Sequence, residues 1–311
     1  MVSGIALAPF RFAEIIQTDL LHRANPIEFR AVRRPRLYSV SEKEGVGPID
    51  LQLNGKTVLV TGGNRGIGKA IALAFAGEGA NVAICGRDQT ALEAAKDEIA
   101  ARGARAATVA ADLFTADGCQ AAVAAATDAF GALDVLVNNA STNIGGRLET
   151  LSDEQVMERI NGKTLASMRC CRAALPYLRA SGRGRVICIG GSSARNVGVD
   201  GLPSGLGNAA LANFAKQFSY EVAADGITVN IVHPPFTKTD RYPARLKARA
   251  EQRGVSLAEA EASFTANFPI GRIVEPDDIA PMVLFLASAQ AAAVTGQAIA
   301  VDGGATPYVA Y

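Results

Sequence analysis

Residues 58 to 70, Val-Leu-Val-Thr-Gly-Gly-Asn-Arg-Gly-Ile-Gly-Lys-Ala, restrict the fold more than any other stretch of the chain. The apolar run Val58, Leu59 and Val60 ends at Thr61 in a glycine-rich turn. That turn opens directly into Ile71-Ala72-Leu73-Ala74-Phe75, which reads as the core face of a helix. Gly62, Gly66 and Gly68 fall at G-x3-G-x-G spacing. Such residues let the backbone bend tightly and approach a diphosphate, while the free N–H groups of the first helical turn face its negative charge. A lone glycine loop is weak evidence. Followed by αβ units of the right length, it points to a dinucleotide site rather than an ordinary glycine turn.

Strands and helices alternate from there. Asn81 to Cys85, Ala106 to Ala110 and Val135 to Val137 read as strands; Thr90 to Arg102 and Ala116 to Phe130 read as helices between them. Glu154 to Leu178 is helical with a break near Asn161-Gly162, followed by a strand at Arg185 to Ile189, a helix at Pro203 to Ala223 and a sixth strand at Thr228 to Val232. A helix at Asp277 to Ala287 and a seventh strand at Ala298 to Val301 complete the series. Crossovers of this length imply a parallel sheet covered on both faces, with ligands at the carboxyl ends of the strands. Residues 240 to 270 are charged and helix-prone, and are placed as a substrate lid over that edge.

Composition narrows the class further. The 311 residues, 49% hydrophobic and 20% charged, suffice for one α/β domain of about 250 residues plus an extra segment. A net charge of +1 argues against nucleic acid. No apolar run reaches the roughly 18 residues of a membrane span, so a soluble protein with no membrane partner is expected. Cys85, Cys119, Cys170, Cys171 and Cys188 show no C-x-x-C spacing and read as apolar core residues in a reducing, cytoplasmic setting, with no metal site. Residues 1 to 48 form a basic extension, read as a flexible arm or the product of a misassigned start rather than as a targeting or partner-binding arm, with a short amphipathic helix around Phe12 to Leu21 as one option. The folded domain is placed at 49 to 311.

Across about residues 50 to 305 the chain resembles the short-chain dehydrogenase/reductase family. The resemblance rests on Thr61-Gly62-Gly63-Asn64-Arg65-Gly66-Ile67-Gly68, Asp112-Leu113, Asn138-Asn139-Ala140, Pro234 with Thr239, and Thr295-Gly296-Gln297 leading to Val301-Asp302-Gly303-Gly304. It implies a Rossmann-type doubly wound parallel seven-stranded sheet in a three-layer α/β/α sandwich, a nicotinamide dinucleotide, and a homodimer or homotetramer. It also implies that Asp112 and Leu113 line the adenine pocket and Asn139 and Ala140 the neighbouring ribose. Pro234, Thr237 and Thr239 join Gly62, Asn64, Arg65, Gly66, Ile67, Gly68 and Arg87 in the cofactor set.

Cofactor choice follows from charge. A carboxylate at the end of the second strand would bind the 2′-hydroxyl of NAD and repel the extra phosphate of NADP. Here Gly86 stands at that point, followed by Arg87, with Arg65 in the glycine loop. Two guanidinium groups favour a 2′-phosphate, so NADP(H) is expected over NAD(H), against the alternative that Arg87 caps a solvated turn.

The catalytic signature departs from the family, whose members carry Tyr-x-x-x-Lys on the helix after the fifth strand, a serine thirteen residues earlier, and an asparagine on the preceding helix. Aligning Gly207-Asn208-Ala209-Ala210-Leu211 places Ser204 at the tyrosine, Asn208 at the lysine and Gly191 at the serine, with Ser192 and Ser193 adjacent. The asparagine position is Lys163. Asn and Lys are thus exchanged. The candidate catalytic set is Lys163, Ser192, Ser204 and Asn208, in which Lys163 supplies the ammonium, Asn208 answers it by hydrogen bonding, and Lys163 donates the proton if burial lowers its pKa. Against this stands a reading of Lys163 as a solvated helix residue. His233 and Tyr242 are weighed as substitute proton donors, and also as a structural strand-end residue and a lid cover. An oxidoreductase acting on a carbonyl or alcohol of a small hydrophobic or coenzyme-linked substrate is expected. Its rivals are an NADP(H)-binding regulator or inactive subunit, and a lyase or isomerase on the same fold.

Overall fold

A computed structural model describes residues 49–142, 144–198 and 201–307, all within one compact unit. The basic extension at 1–48 and its helix at Phe12 to Leu21 lie outside the described residues. Among the latter, seven strands form one sheet: β1 Thr57–Thr61, β2 Asn81–Gly86, β3 Ala106–Ala110, β4 Val135–Asn138, β5 Arg185–Ile189, β6 Thr228–His233 and β7 Ala298–Ala300. Their order is β3-β2-β1-β4-β5-β6-β7, and every pair is parallel. This is the Rossmann-type sheet expected.

Alternation along the strands divides the core in two. Val58 and Val60 face the layer built by α1 Gly66–Gly77, α2 Gln89–Ala100 and α9 Pro276–Ala287; Leu59 faces α3 Ala116–Phe130, α5 Ala166–Ala180 and α6 Leu202–Val222. Both faces are apolar, so the strands read as near-continuous hydrophobic runs. Chain order reverses between β1 and β4, and the crevice at that reversal is where such sheets hold ligands.

Two local features shape the site. The long helix read from Glu154 is divided: α4 is Asp153–Ile160, the π turn Asn161–Leu165 follows, and α5 resumes at Ala166. The residues read from the sequence as a lid fold as α7 Tyr242–Arg253 and α8 Leu257–Thr265. Tyr242 is buried, its ring centroid 5.9 Å from that of Phe236 and 6.4 Å from that of Phe264, and its hydroxyl donates to Glu261 Oε1 at 3.0 Å. Burial chiefly pushes that phenol up to about 12, and its packing anchors the start of α7.

Candidate active site

One cleft of about 410 Å³ gathers most of the cofactor residues read from the sequence. The glycine loop contributes Gly62, Asn64, Arg65, Gly66, Ile67 and Gly68; Arg87 follows β2, Asp112 and Leu113 follow β3, Asn139 and Ala140 follow β4, and Thr239 precedes α7. Pro234 and Thr237 do not line it: the Pro234 carbonyl accepts the Ser192 N–H at 2.8 Å, and Thr237 is buried with its hydroxyl on the Pro235 carbonyl. The cleft also takes in Phe114, Ser141, Thr142, Arg241 and Arg245, which no motif announced.

Local geometry suits a nucleotide diphosphate. The first turn of α1 has no acidic residue, and Arg65 at its N-cap makes no side-chain capping bond, so the first-turn amides are open to an anion. Thr61 and Asn139 brace the loop. The Thr61 hydroxyl accepts from the Asn139 and Ala140 amides at 2.9 and 3.0 Å, and Asn139 Nδ2 donates to the Thr61 and Gly62 carbonyls at 2.9 and 3.1 Å. Asp88 and Asp112 also stand at the rim, but each is committed locally: Asp88 caps α2 through the Ala91 amide, and Asp112 accepts the Phe114 amide.

None of the four candidate catalytic residues lines this cleft. Lys163 lies in the π turn, 3% exposed, and its ammonium donates to the Ile189 carbonyl at the end of β5. It is therefore not a solvated helix residue. Burial, reinforced by Arg159 one turn earlier, holds its pKa down to about 7. Thr164 Oγ1 donates to the Gly207 carbonyl at 2.9 Å, which locks the π turn to α6 beside Asn208. Lys163 and Asn208 nevertheless share no hydrogen bond: Asn208 Nδ2 donates to Ser193 Oγ at 2.9 Å, and its Oδ1 is buried without a partner. Ser204 Oγ donates to the Ile144 carbonyl at 3.4 Å. Ser192 lines a separate cavity of about 170 Å³ with Arg195, His233, Asp302 and Thr306.

Two glycines follow β5, each close to a side chain from a neighbouring element. A Cβ on Gly191 would lie 2.6 Å from Asn208 Nδ2, and one on Gly190 would lie 2.6 Å from His233 Nδ1. A side chain at 191 would therefore require the Asn208 amide to swing aside from its bond to Ser193. His233 is held by the Gly191 peptide, with Nδ1 2.9 Å from its oxygen and 3.2 Å from its nitrogen, and burial pushes its pKa below the ordinary value. Its Nε2 has no partner among the described residues.

Sequence reasoning missed Arg159. This buried side chain of α4 donates to Ser141 Oγ at 2.6 Å and to the Thr142 carbonyl, tying the loop after β4 to the helix that carries Lys163. Its signal was the four-residue spacing to Lys163, which puts both cations on one helical face. No carboxylate pairs with either among the described residues.

Fold and cleft together define a doubly wound dinucleotide-binding domain. Residues 62–306 match the family profile described as enoyl-(acyl carrier protein) reductase. The 3-oxoacyl-(acyl-carrier-protein) reductase FabG of Vibrio cholerae is 34% identical over 255 residues, covering 82% of this chain and 98% of that protein. NADPH-dependent reductase BacG of Bacillus subtilis is 29% identical over 251 residues, covering 80% and 97%. L-sorbose reductase of Gluconobacter frateurii, crystallised with NADPH and L-sorbose, superposes with a TM-score of 0.80 at 30% identity, covering 84% of this chain and 100% of that one. The chain belongs to the short-chain dehydrogenase/reductase family.

Proposed function

We propose that this protein is an NADP(H)-dependent oxidoreductase that acts on a carbonyl or alcohol of a small hydrophobic or coenzyme-linked substrate through altered catalytic residues. The observation that carries the reading is the uncapped α1 N-terminus flanked by Arg65 and Arg87 in one cleft, with Gly86 where a discriminating carboxylate would stand. The glycine-loop amides and Thr239 would hold the diphosphate, and the two arginines the 2′-phosphate. Bound there, the nicotinamide would supply or accept the hydride. FabG, whose name specifies an acyl-carrier-protein-linked substrate, supports the coenzyme-linked class. By family likeness we also assign a homodimer or homotetramer in the cytoplasm.

In this reading Lys163 carries the proton. With a pKa of about 7 it holds a proton at Nζ in a substantial fraction of molecules at neutral pH and is acidic enough to release it to a substrate oxygen. Donation requires the ammonium to exchange the Ile189 carbonyl for that oxygen. Asn208 and Ser193 keep the β5–α6 junction in register beside it.

A second reading, NADP(H) binding without redox chemistry, is favoured by the absence of Lys163, Ser204 and Asn208 from the cleft lining. One experiment separates the two. NADPH binding is followed by fluorescence, and NADPH consumption by absorbance with small ketones and 3-oxoacyl thioesters. Binding with turnover supports the oxidoreductase; tight binding with no consumption of any carbonyl supports the binder.

Arg87→Asp is expected to weaken NADPH binding by about tenfold or more and to leave NADH bound equally or better, because a carboxylate repels the 2′-phosphate. An unchanged ratio of the two dissociation constants would assign Arg87 to the solvated turn.

A further inference from the structure

We propose that the lid forms part of the phosphate site: Arg241, at the start of α7, joins Arg65 of the glycine loop in holding a cofactor phosphate, so that nucleotide binding fixes the lid. This rests on the NADP(H) reading above and concerns residues that reading does not use.

Backbone geometry brings the lid to the loop. A Cβ on Gly66 would lie 3.4 Å from the Thr239 methyl, so the segment leading into α7 already touches the first turn of α1. The Tyr242 amide donates to the Thr239 carbonyl at 2.7 Å, and the buried Tyr242 ring pins the next residue into the lid core. Arg241 lies between these two fixed points, as the N-cap of α7, and lines the same cleft as Arg65.

Charge supplies the second half. Arg241 has its pKa lowered first by partial burial, then by the nearby guanidinium groups of Arg65 and Arg245, with Asp240 opposing. Among the described residues, neither Arg65, Arg87 nor Arg241 has a carboxylate in ion-pair range. Like charges held together at one rim repel each other, and a phosphate placed between them converts that repulsion into paired, charge-assisted hydrogen bonds. Arg245 stands one turn along α7, 5.5 Å over the Phe236 ring, and lines the same cleft.

The 2′-phosphate and the diphosphate offer the same chemistry, and titration of the full chain with NADPH and NADH tells them apart. Arg241→Gln is expected to weaken NADPH about tenfold. Loss confined to NADPH assigns Arg241 to the 2′-phosphate; equal loss with NADH assigns it to the diphosphate. Lys247→Gln removes the same charge from an exposed position of α7 and is expected to leave both constants within about twofold. Amide exchange across residues 242–253 should slow on adding NADPH to the wild type, and not at matched NADPH in Arg241→Gln. Wild-type binding with Arg241→Gln unchanged, or with Lys247→Gln weakened equally, overturns the lid assignment alone. A wild type that binds neither nucleotide removes the NADP(H) reading itself.

Discussion

If Lys163 is the proton donor proposed above, Lys163→Met is expected to lower carbonyl reduction by about 10³-fold while the NADPH dissociation constant stays within about twofold, because the side chain lies outside the cleft that gathers the glycine loop. The pH profile adds a readout that mere loss of packing would not change. Reduction needs the protonated amine, so the wild-type rate should fall as pH rises through about 7, and alcohol oxidation, which needs the free amine, should rise over the same range. If wild-type reduction is level from pH 6 to 9, or Lys163→Met keeps its turnover, Lys163 is not the proton donor.

Stability moves in the opposite sense to activity. Lys163 is held at about 7, below its ordinary 10.5, so between those values the unfolded chain binds a proton that the folded chain lacks. Folding stability therefore gains from this group as pH rises from about 7 to about 10.5, and the burial penalty is greatest below 7, where the folded state must keep an ammonium in an apolar junction. Lys163→Met should raise the melting temperature, and by more at pH 6 than at pH 9. A protein stabilised by removing a residue that abolishes its activity is the pattern of a site kept against the interests of the fold. An equal gain in melting temperature at both pH values would mean that Lys163 keeps its proton in the folded protein from pH 6 to pH 9, so that burial does not lower its pKa.

Much of the scaffold was legible because its signals are local. The Ala106–Ala110 strand and the Val58–Val60 run show their type through turn residues and apolar content, and the glycine loop announces a backbone geometry that few other residues permit. What stayed hidden depends on contacts distant in sequence. The π turn at Asn161–Leu165 was readable only as a break; that it carries Lys163 into the protein follows from Thr164 bonding across to Gly207. The pairing of Gly190 with His233 and of Gly191 with Asn208 joins β5 to β6 and to α6, and no spacing rule links those positions. The place of Arg241 carries no motif because it is set by where Tyr242 anchors α7, which in turn depends on Phe236, Phe264 and Glu261. Tyr242, weighed as a donor and as a cover from its chemistry, is buried by surroundings that no local pattern announces.

Gly68→Ala is expected to lower the melting temperature by roughly 10 °C and to reduce nucleotide binding, from an overpacking cost of about 3 kcal/mol in a domain of this size. A methyl group there would lie 2.2 Å from the Gly62 carbonyl oxygen and 2.4 Å from Asn139 Nδ2. The first of these is backbone and cannot swing aside. The second is the amide that holds the Thr61 and Gly62 carbonyls, so displacing it loosens the joint between β1, the glycine loop and β4. Either α1 moves away from the loop, opening the anion site at its N-terminus, or Asn139 gives up its bonds and the ribose side of the cleft shifts. Both routes damage stability and binding together, which distinguishes this change from Arg87→Asp, where affinity changes and the melting temperature does not. Gly198→Ala serves as the comparison, since a Cβ there meets nothing within 4 Å, and it should melt like the wild type. If Gly68→Ala melts within about 2 °C of the wild type and binds NADPH normally, the close approach of helix to loop is not what holds the cleft in shape.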